Sequence, residues 1–235
     1  MKGKLYGIGV GPGDPELVTL KAKRLLEEVD CIAIPKSGAN KESLAMSIVS
    51  GMLGKGKDLL ELLFPMSFNK KLLAESWSEA VSQVRNRLDE GEDVAFITLG
   101  DPTVYSTYMY LHRMIKQQGY ETEIVPGITS FCAAAARAGI SLAENRETLA
   151  VVPSAYDCRD LDGILERFDN VVLMKISGKF AELREKLVVK RLGDNAVMVS
   201  KCGLKGEVIE SDLGKVDEET LSYFTTMIIK KNGAE

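Results

Sequence analysis

The sequence predicts an α/β protein of two lobes, the first on a mainly parallel sheet with helices on both faces, the second on a mixed sheet. Three observations predict it. Through the first half, short apolar runs alternate with segments long enough for crossover helices, the pattern of βαβ units. Beyond the alanine-rich helical stretch Ala133 to Ala136 that regular alternation gives way to five further apolar runs and two clear helices. Finally, three Gly/Pro/Asp turns each stand where an apolar run gives way to a helix: Gly9-Val10-Gly11-Pro12-Gly13-Asp14-Pro15, Leu99-Gly100-Asp101-Pro102 and Val125-Pro126-Gly127-Ile128-Thr129-Ser130.

In chain order, Leu5 to Val10 reads as a short buried strand. Asp14 is expected to cap the following helix and Pro15 to take its first position, where a missing N–H costs nothing. Val18, Ala22, Leu25, Leu26 and Val29 form its apolar stripe. Strands follow at Cys31 to Pro35 and Leu59 to Leu63. Asn69 to Leu88 is a polar-rich helical stretch whose stripe includes Leu73, Trp77, Val81, Val84 and Leu88. Val94 to Leu99 is almost continuously apolar, as a strand covered on both faces should be. Asp101 and Pro102 repeat the cap-and-proline signature before a helix striped by Val104, Tyr108, Leu111, His112 and Ile115, and Thr122 to Val125 completes the first set of strands. Later strands are expected at Leu149 to Val152, Val171 to Ile176, Ala196 to Lys201, Val208 to Glu210 and Phe224 to Ile229, with helices near Leu161 to Phe168 and Phe180 to Val188. The lobe boundary is placed near Pro126, giving lobes 1–125 and 126–235. No internal repeat or low-complexity linker interrupts them.

The chain has 235 residues, 45% of them apolar, enough for a substantial core. A net charge of −4 with mixed signs and no long basic run gives no support for a nucleic-acid partner or a polybasic membrane anchor. No apolar run approaches the roughly eighteen residues of a membrane span, and the start enters a Gly-rich strand turn rather than a signal peptide; a cytoplasmic location is expected. Cys31, Cys132, Cys158 and Cys202 are widely separated and His112 is the sole histidine, so a protein-bound metal lacks a ligand set. All four cysteines are expected to be reduced, Cys31 and Cys132 to be packed, and His112 to be a packed helix residue.

Glycines between strand and helix let backbone approach a ligand closely, and ligands bind at strand carboxyl ends in open α/β sheets. The three turns therefore read as one binding site. A dinucleotide fingerprint fails: G-x-G-x-x-G begun at Gly7 meets Pro12 in its last position, and begun at Gly9 it meets Asp14. Asp30 has the distance of a ribose-binding acid, about twenty residues on, but precedes the second strand instead of following it. With no G-x-x-x-x-G-K-[ST] either, a ligand with little or no phosphate fits best.

Gly9 to Leu17, Gly100-Asp101-Pro102 and Pro126 to Ser130 together resemble the signature of the tetrapyrrole methylases, S-adenosylmethionine-dependent methyltransferases that modify corrin and sirohaem precursors. Phe64-Pro65-Met66, Trp77, Leu99 to Tyr108 and Tyr223 to Met227 are similar to the subfamily that methylates carbon 20 of precorrin-2 in cobalamin synthesis, and the likeness runs from about Lys4 to about Lys230. The resemblance implies S-adenosylmethionine folded in a cleft between the lobes, with S-adenosylhomocysteine as product. It implies contacts at Pro12, Leu99, Gly100, Asp101, Val104, Thr129, Ser130 and Met174, and a further contact near Lys201 and Cys202. It also implies a tetrapyrrole substrate that carries any cobalt, and a homodimer, with which the apolar Phe64, Met66, Phe68 and Trp77 agree. Lys36 is a candidate for the substrate's carboxylates, and Tyr105, Tyr108 or a bound water for a base; no residue is selected as catalytic. Two alternatives stay open, a sister methylase acting at another ring position or on a protein as diphthine synthases do, and a noncatalytic nucleotide-binding module.

Overall fold

A computed structural model describes residues 1–38, 40–65, 70–153 and 158–232, and the chain divides into two compact units, Met1–Thr129 and Ser130–Glu235. The first unit is built on five parallel strands, β1 (Leu5–Gly9), β2 (Cys31–Lys36), β3 (Asp58–Leu63), β4 (Val94–Thr98) and β5 (Thr122–Val125), in the order β3-β2-β4-β1-β5. Alternation of side chains along each strand sorts the apolar residues onto two faces. Leu5, Ala33 and Phe96 pack with Val81, Val84 and Leu88 of α3 (Lys70–Asp89) and Leu111 and Ile115 of α4 (Tyr108–Gln117). Ile8, Ile32 and Ile97 pack with Ala22, Leu25 and Leu26 of α1 (Leu20–Glu28) and Ala45, Ile48 and Val49 of α2 (Leu44–Val49). β1 and β4 are buried on both faces, which is why their sequences are nearly unbroken runs of apolar residues and glycine.

The second unit is a mixed sheet, β6 (Leu149–Val152), β7 (Asn170–Met174), β8 (Ala196–Ser200), β9 (Val208–Glu210) and β10 (Thr225–Lys230), in the order β6-β7-β10-β8-β9. Only β6 and β7 run parallel; β10 lies antiparallel to both β7 and β8, and β9 antiparallel to β8. Leu173, Met198 and Met227 face α6 (Leu161–Arg167) and α7 (Phe180–Val189) through Leu165, Leu183 and Leu187. α5 (Ser130–Ala138) packs on β8 and β10 with buried Ala133, Ala134 and Ala135, whose small side chains let it lie close to the sheet. Lys230 is 4% exposed on β10; its Nζ donates to the Ser141 carbonyl (3.2 Å) and hydroxyl (2.7 Å), with Glu147 at 3.7 Å and Glu144 at 3.8 Å.

Several local expectations need correction. Asp14 does cap, accepting from Glu16 N at 2.9 Å, but it caps a single 3₁₀ turn (Pro15–Leu17); α1 begins at Leu20 under Thr19, whose hydroxyl accepts from Ala22 N, so Val18 lies before the helix. Asp101 and Pro102 do not start a helix: α4 begins six residues later, and Val104 lies in the intervening turn. Cys132 is exposed, because the face of α5 buried on the sheet is the one carrying Ala133 to Ala135. Cys31 is buried, which pushes its thiol up to about 11. Trp77 packs on Phe64 at 4.5 Å between ring centroids; Met66, Phe68 and Asn69 lie outside the described residues. Among the described residues no helix is long and apolar enough to cross a membrane, and no group of three or more His, Cys, Asp or Glu could hold a metal.

Candidate active site

The three turns leave the carboxyl ends of β1, β4 and β5, adjacent strands in the first sheet, and their backbones meet. Gly11 and Gly100 form a two-way bridge, with Gly11 N donating to the Gly100 carbonyl at 3.3 Å and Gly100 N to the Gly11 carbonyl at 2.8 Å. Both have positive φ, +77° and +70°, which side-chain-bearing residues adopt only at a cost. The third turn is closer still. A Cβ on Gly9 would stand 2.6 Å from Gly127 N, and one on Gly127 would stand 2.2 Å from the Gly100 carbonyl oxygen. Three main chains thus touch where ordinary side chains would hold them apart.

Asp101 ties two turns together. It is 9% exposed; Oδ1 accepts from Thr103 N at 2.8 Å and from the Thr103 hydroxyl, and Oδ2 accepts from Gly127 N at 3.0 Å. Its capping-type side chain is used on its own turn and on the turn after β5, not on a helix. A second pair fixes the far side of the turn after β4. The Thr98 and Ser106 hydroxyls lie 2.9 Å apart, and Ser106 Oγ also accepts from Tyr108 N at 3.1 Å.

Of the residues expected to bind the cofactor, Pro12, Leu99, Gly100, Asp101, Val104 and Thr129 all lie on these three turns. Pro12 and Gly100 are buried, whereas Leu99 and Val104 are half-buried. Among the described residues, Thr129 Oγ1 is the one buried side-chain polar atom without a hydrogen-bond partner. Such a hydroxyl is costly to leave unsatisfied, and a ligand group that bonds it removes the cost. Ser130 opens α5 and Met174 ends β7, both half-buried in the second unit, where Met174 pairs with Thr226. Gly9, Gly11 and Gly127 build the junction yet were absent from the expected contacts; their spacing was visible, but only the fold shows that they meet.

The other candidates have separate occupations. Lys36 Nζ is 2.7 Å from Glu61 Oε1, so its charge is already partnered. Asp30 Oδ2 accepts from Asp93 N at 3.0 Å, which anchors the start of β4. The Tyr108 ring is fully buried, close enough to β1 that a Cβ on Gly7 would fall 2.0 Å from it. Its hydroxyl lies 3.2 Å from both His112 Nδ1 and the Glu123 carbonyl, and burial pushes its pKa well above the usual tyrosine range. It is ill suited to accept a proton. Burial, followed by the charges of Lys116 and Arg113, lowers the His112 pKa. Lys175 and Lys201 turn the chain after β7 and β8 with φ of 56° and 53°, their amides donating to the Thr225 and Phe224 carbonyls. Arg137 on α5 reaches Glu207 at 2.6 Å, and Glu207 Oε2 accepts from Gly203 N, holding the loop that contains Cys202.

This arrangement suits a ligand recognised mainly through main-chain groups and a few hydroxyls, and comparison with known proteins agrees. The family model for tetrapyrrole (corrin/porphyrin) methylases matches residues 4–217. The chain is 37% identical to the cobalt-precorrin-2 C(20)-methyltransferase of Salmonella typhimurium over 98% of both proteins. It is 39% identical to a probable cobalt-precorrin-2 C(20)-methyltransferase of Methanocaldococcus jannaschii, over 97% of this chain and 96% of the relative. Its fold is shared by a uroporphyrin-III C-methyltransferase of Thermus thermophilus complexed with S-adenosylhomocysteine, with a TM-score of 0.69, 22% identity and coverage of 97% and 98% of the two chains. With the glycine junction at its strand ends and the family model spanning most of its length, the chain belongs to the tetrapyrrole methylases.

Proposed function

We propose that this protein transfers a methyl group from S-adenosylmethionine to carbon 20 of precorrin-2 or its cobalt complex, a step of cobalamin biosynthesis. The observation that carries the reading is the junction of the three turns, where Gly9 and Gly127 let main chains meet at a distance no side chain would allow, two residues before the unpartnered Thr129 hydroxyl. Identity above 35% across whole chains to two proteins named for this reaction supports the choice of ring position.

Pro12, Leu99, Gly100, Asp101, Val104, Thr129, Ser130 and Met174 are the residues we assign to holding the cofactor. When bound, it supplies an electrophilic sulfonium methyl. What the chain must contribute is alignment, because an in-line transfer needs the nucleophilic carbon about 3 Å from that methyl more than it needs a strong acid or base. Turns locked by bridging hydrogen bonds provide this, since a cradle fixed before binding loses little entropy when it is filled. Cobalt, where present, belongs to the substrate. A cytoplasmic homodimer completes the proposal, although Phe64 and Trp77 are half-buried against the core and against each other.

The test is to incubate the protein with S-adenosylmethionine and precorrin-2, with and without cobalt, and to locate the new methyl by NMR. Methylation at another ring position, or none, refutes the assignment.

A further inference from the structure

The turn after β4 contains a residue that the reading above leaves without a role. Tyr105 has φ of +51° and is 53% exposed. Among the described residues, four other non-glycine residues share the left-handed backbone, and each has a local reason. Arg191 stops α7, with its amide on the Val188 carbonyl and that of Leu192 on the Leu187 carbonyl. Asn145 is of a type that tolerates the conformation. Lys175 and Lys201 are held by main-chain bonds to the carbonyls of Thr225 and Phe224. Tyr105 is neither of a type that tolerates the conformation nor the stop of a helix. Glycine or asparagine would fill its position at lower cost, and non-glycine residues held in this region cluster at functional sites.

The surrounding bonds show how the conformation is imposed. On one side Asp101 accepts from Thr103 N and the Thr103 hydroxyl, and its carbonyl accepts from Val104 N at 3.2 Å. On the other side Ser106 joins Thr98 and receives Tyr108 N. Residues 103, 104 and 106 are therefore fixed, and the one between them projects an aromatic ring from the turn that carries Gly100 and Asp101.

We propose that Tyr105 positions the substrate: its ring packs against the tetrapyrrole, and its phenol donates a hydrogen bond to one of the carboxylates on the macrocycle's periphery. A rigid aromatic with a polar tip suits a flat, carboxylate-edged ligand, as it adds apolar contact area with few rotors to freeze. The inference rests on the methyltransferase reading given above.

Tyr105→Gly and Tyr105→Phe test it, each assayed for kcat and KM toward precorrin-2, for S-adenosylmethionine affinity by calorimetry, and for melting temperature. Tyr105→Gly is expected to raise KM about tenfold or more, to leave cofactor affinity within about twofold, and to melt at or above the parent temperature because the strain is gone. Tyr105→Phe keeps the ring and is expected to raise KM by about threefold to tenfold, the size of one lost hydrogen bond of ordinary net strength at an exposed site. A purely structural residue would lower the melting temperature and cofactor affinity together, and that result overturns the proposal. So does a KM unchanged in either variant while the parent enzyme is active. A parent that methylates neither form of precorrin-2 overturns the reaction assignment itself, and this inference with it.

Discussion

Replacing Gly127 with alanine separates a built cradle from ordinary turn chemistry. The added Cβ would stand 2.2 Å from the Gly100 carbonyl oxygen and 2.8 Å from Gly9 Cα, whereas ordinary contact begins at 3.4 Å, so main chain must retreat by about 1 Å. No flexible side chain can absorb that movement, since all the close atoms are backbone. Overpacking of this kind costs about 1–3 kcal/mol. The retreat also stretches the bond from Gly127 N to Asp101 Oδ2, now 3.0 Å. A hydrogen bond to a charged group contributes about 1.5–3 kcal/mol. Because the two effects overlap, we expect a loss of roughly 3–4 kcal/mol, read as a melting temperature about 10 °C lower. Gly51→Ala is the matched control: nothing lies within 4 Å of its added Cβ, and it should be neutral or slightly stabilising. Thermal unfolding gives the stability, and calorimetry with S-adenosylmethionine gives the affinity, expected to fall at least tenfold in Gly127→Ala alone. If Gly127→Ala melts within 2–3 °C of the parent, about 1 kcal/mol, and binds as tightly, the close contact does not constrain the site and the reasoning is wrong.

Other expectations follow from single side chains. Asp101→Asn should lose about 1–3 kcal/mol, because both carboxylate oxygens accept N–H bonds and an amide can match only one; a melting curve equal to the parent's would show that one bond suffices. Hydrogen bonds from Lys21 and Lys4 lower the Glu123 pKa to about 2 from an ordinary 4.5. Its contribution is therefore complete above about pH 4.5 and disappears as pH falls toward 2, so Glu123→Gln should flatten the stability profile across that window and leave its shape above pH 5 unchanged. Lys230→Met leaves the Ser141 carbonyl and Glu147 without their buried cation, and should cost about 1–3 kcal/mol in thermal unfolding; an unchanged melting temperature would mean water substitutes freely. Light scattering should find a dimer, and a monomer at all accessible concentrations would remove that proposal without touching the chemistry.

The strands were legible because their burial is expressed directly in composition: Val94 to Thr98 has no exposed position to interrupt its apolar run. The three turns were legible for the same local reason, through Gly, Asp and Pro. What the local signal could not give was the partner of each group. Asp101 before Pro102 has the signature of a helix cap, and the same oxygens serve equally well to bracket a turn twenty-six residues away; only the proximity of Gly127 decides between them. Cys132 failed similarly. An alanine-rich helix is apolar nearly all round, so periodicity could not say which face meets the sheet. Tyr105 was visible as one of two tyrosines, and only its backbone angle and exposure distinguish it from the buried Tyr108.

The strand order also bears on how the protein is made. β10, the last strand of this chain, lies at the centre of its sheet between β7 and β8, and β1, the first, lies between β4 and β5, which follow it by some ninety residues or more. Neither sheet can close through neighbours in sequence. As the chain emerges from the ribosome, Leu5–Gly9 must wait unpaired until Val94–Thr98 exists, and the β6–β7 and β8–β9 pairs cannot join until Thr225–Lys230 arrives between them. Such long-range closure is slow and leaves apolar edges open to wrong partners in the meantime. Loss of the β10 segment would be expected to abolish the second unit altogether, with nascent chains depending on chaperones until that strand arrives.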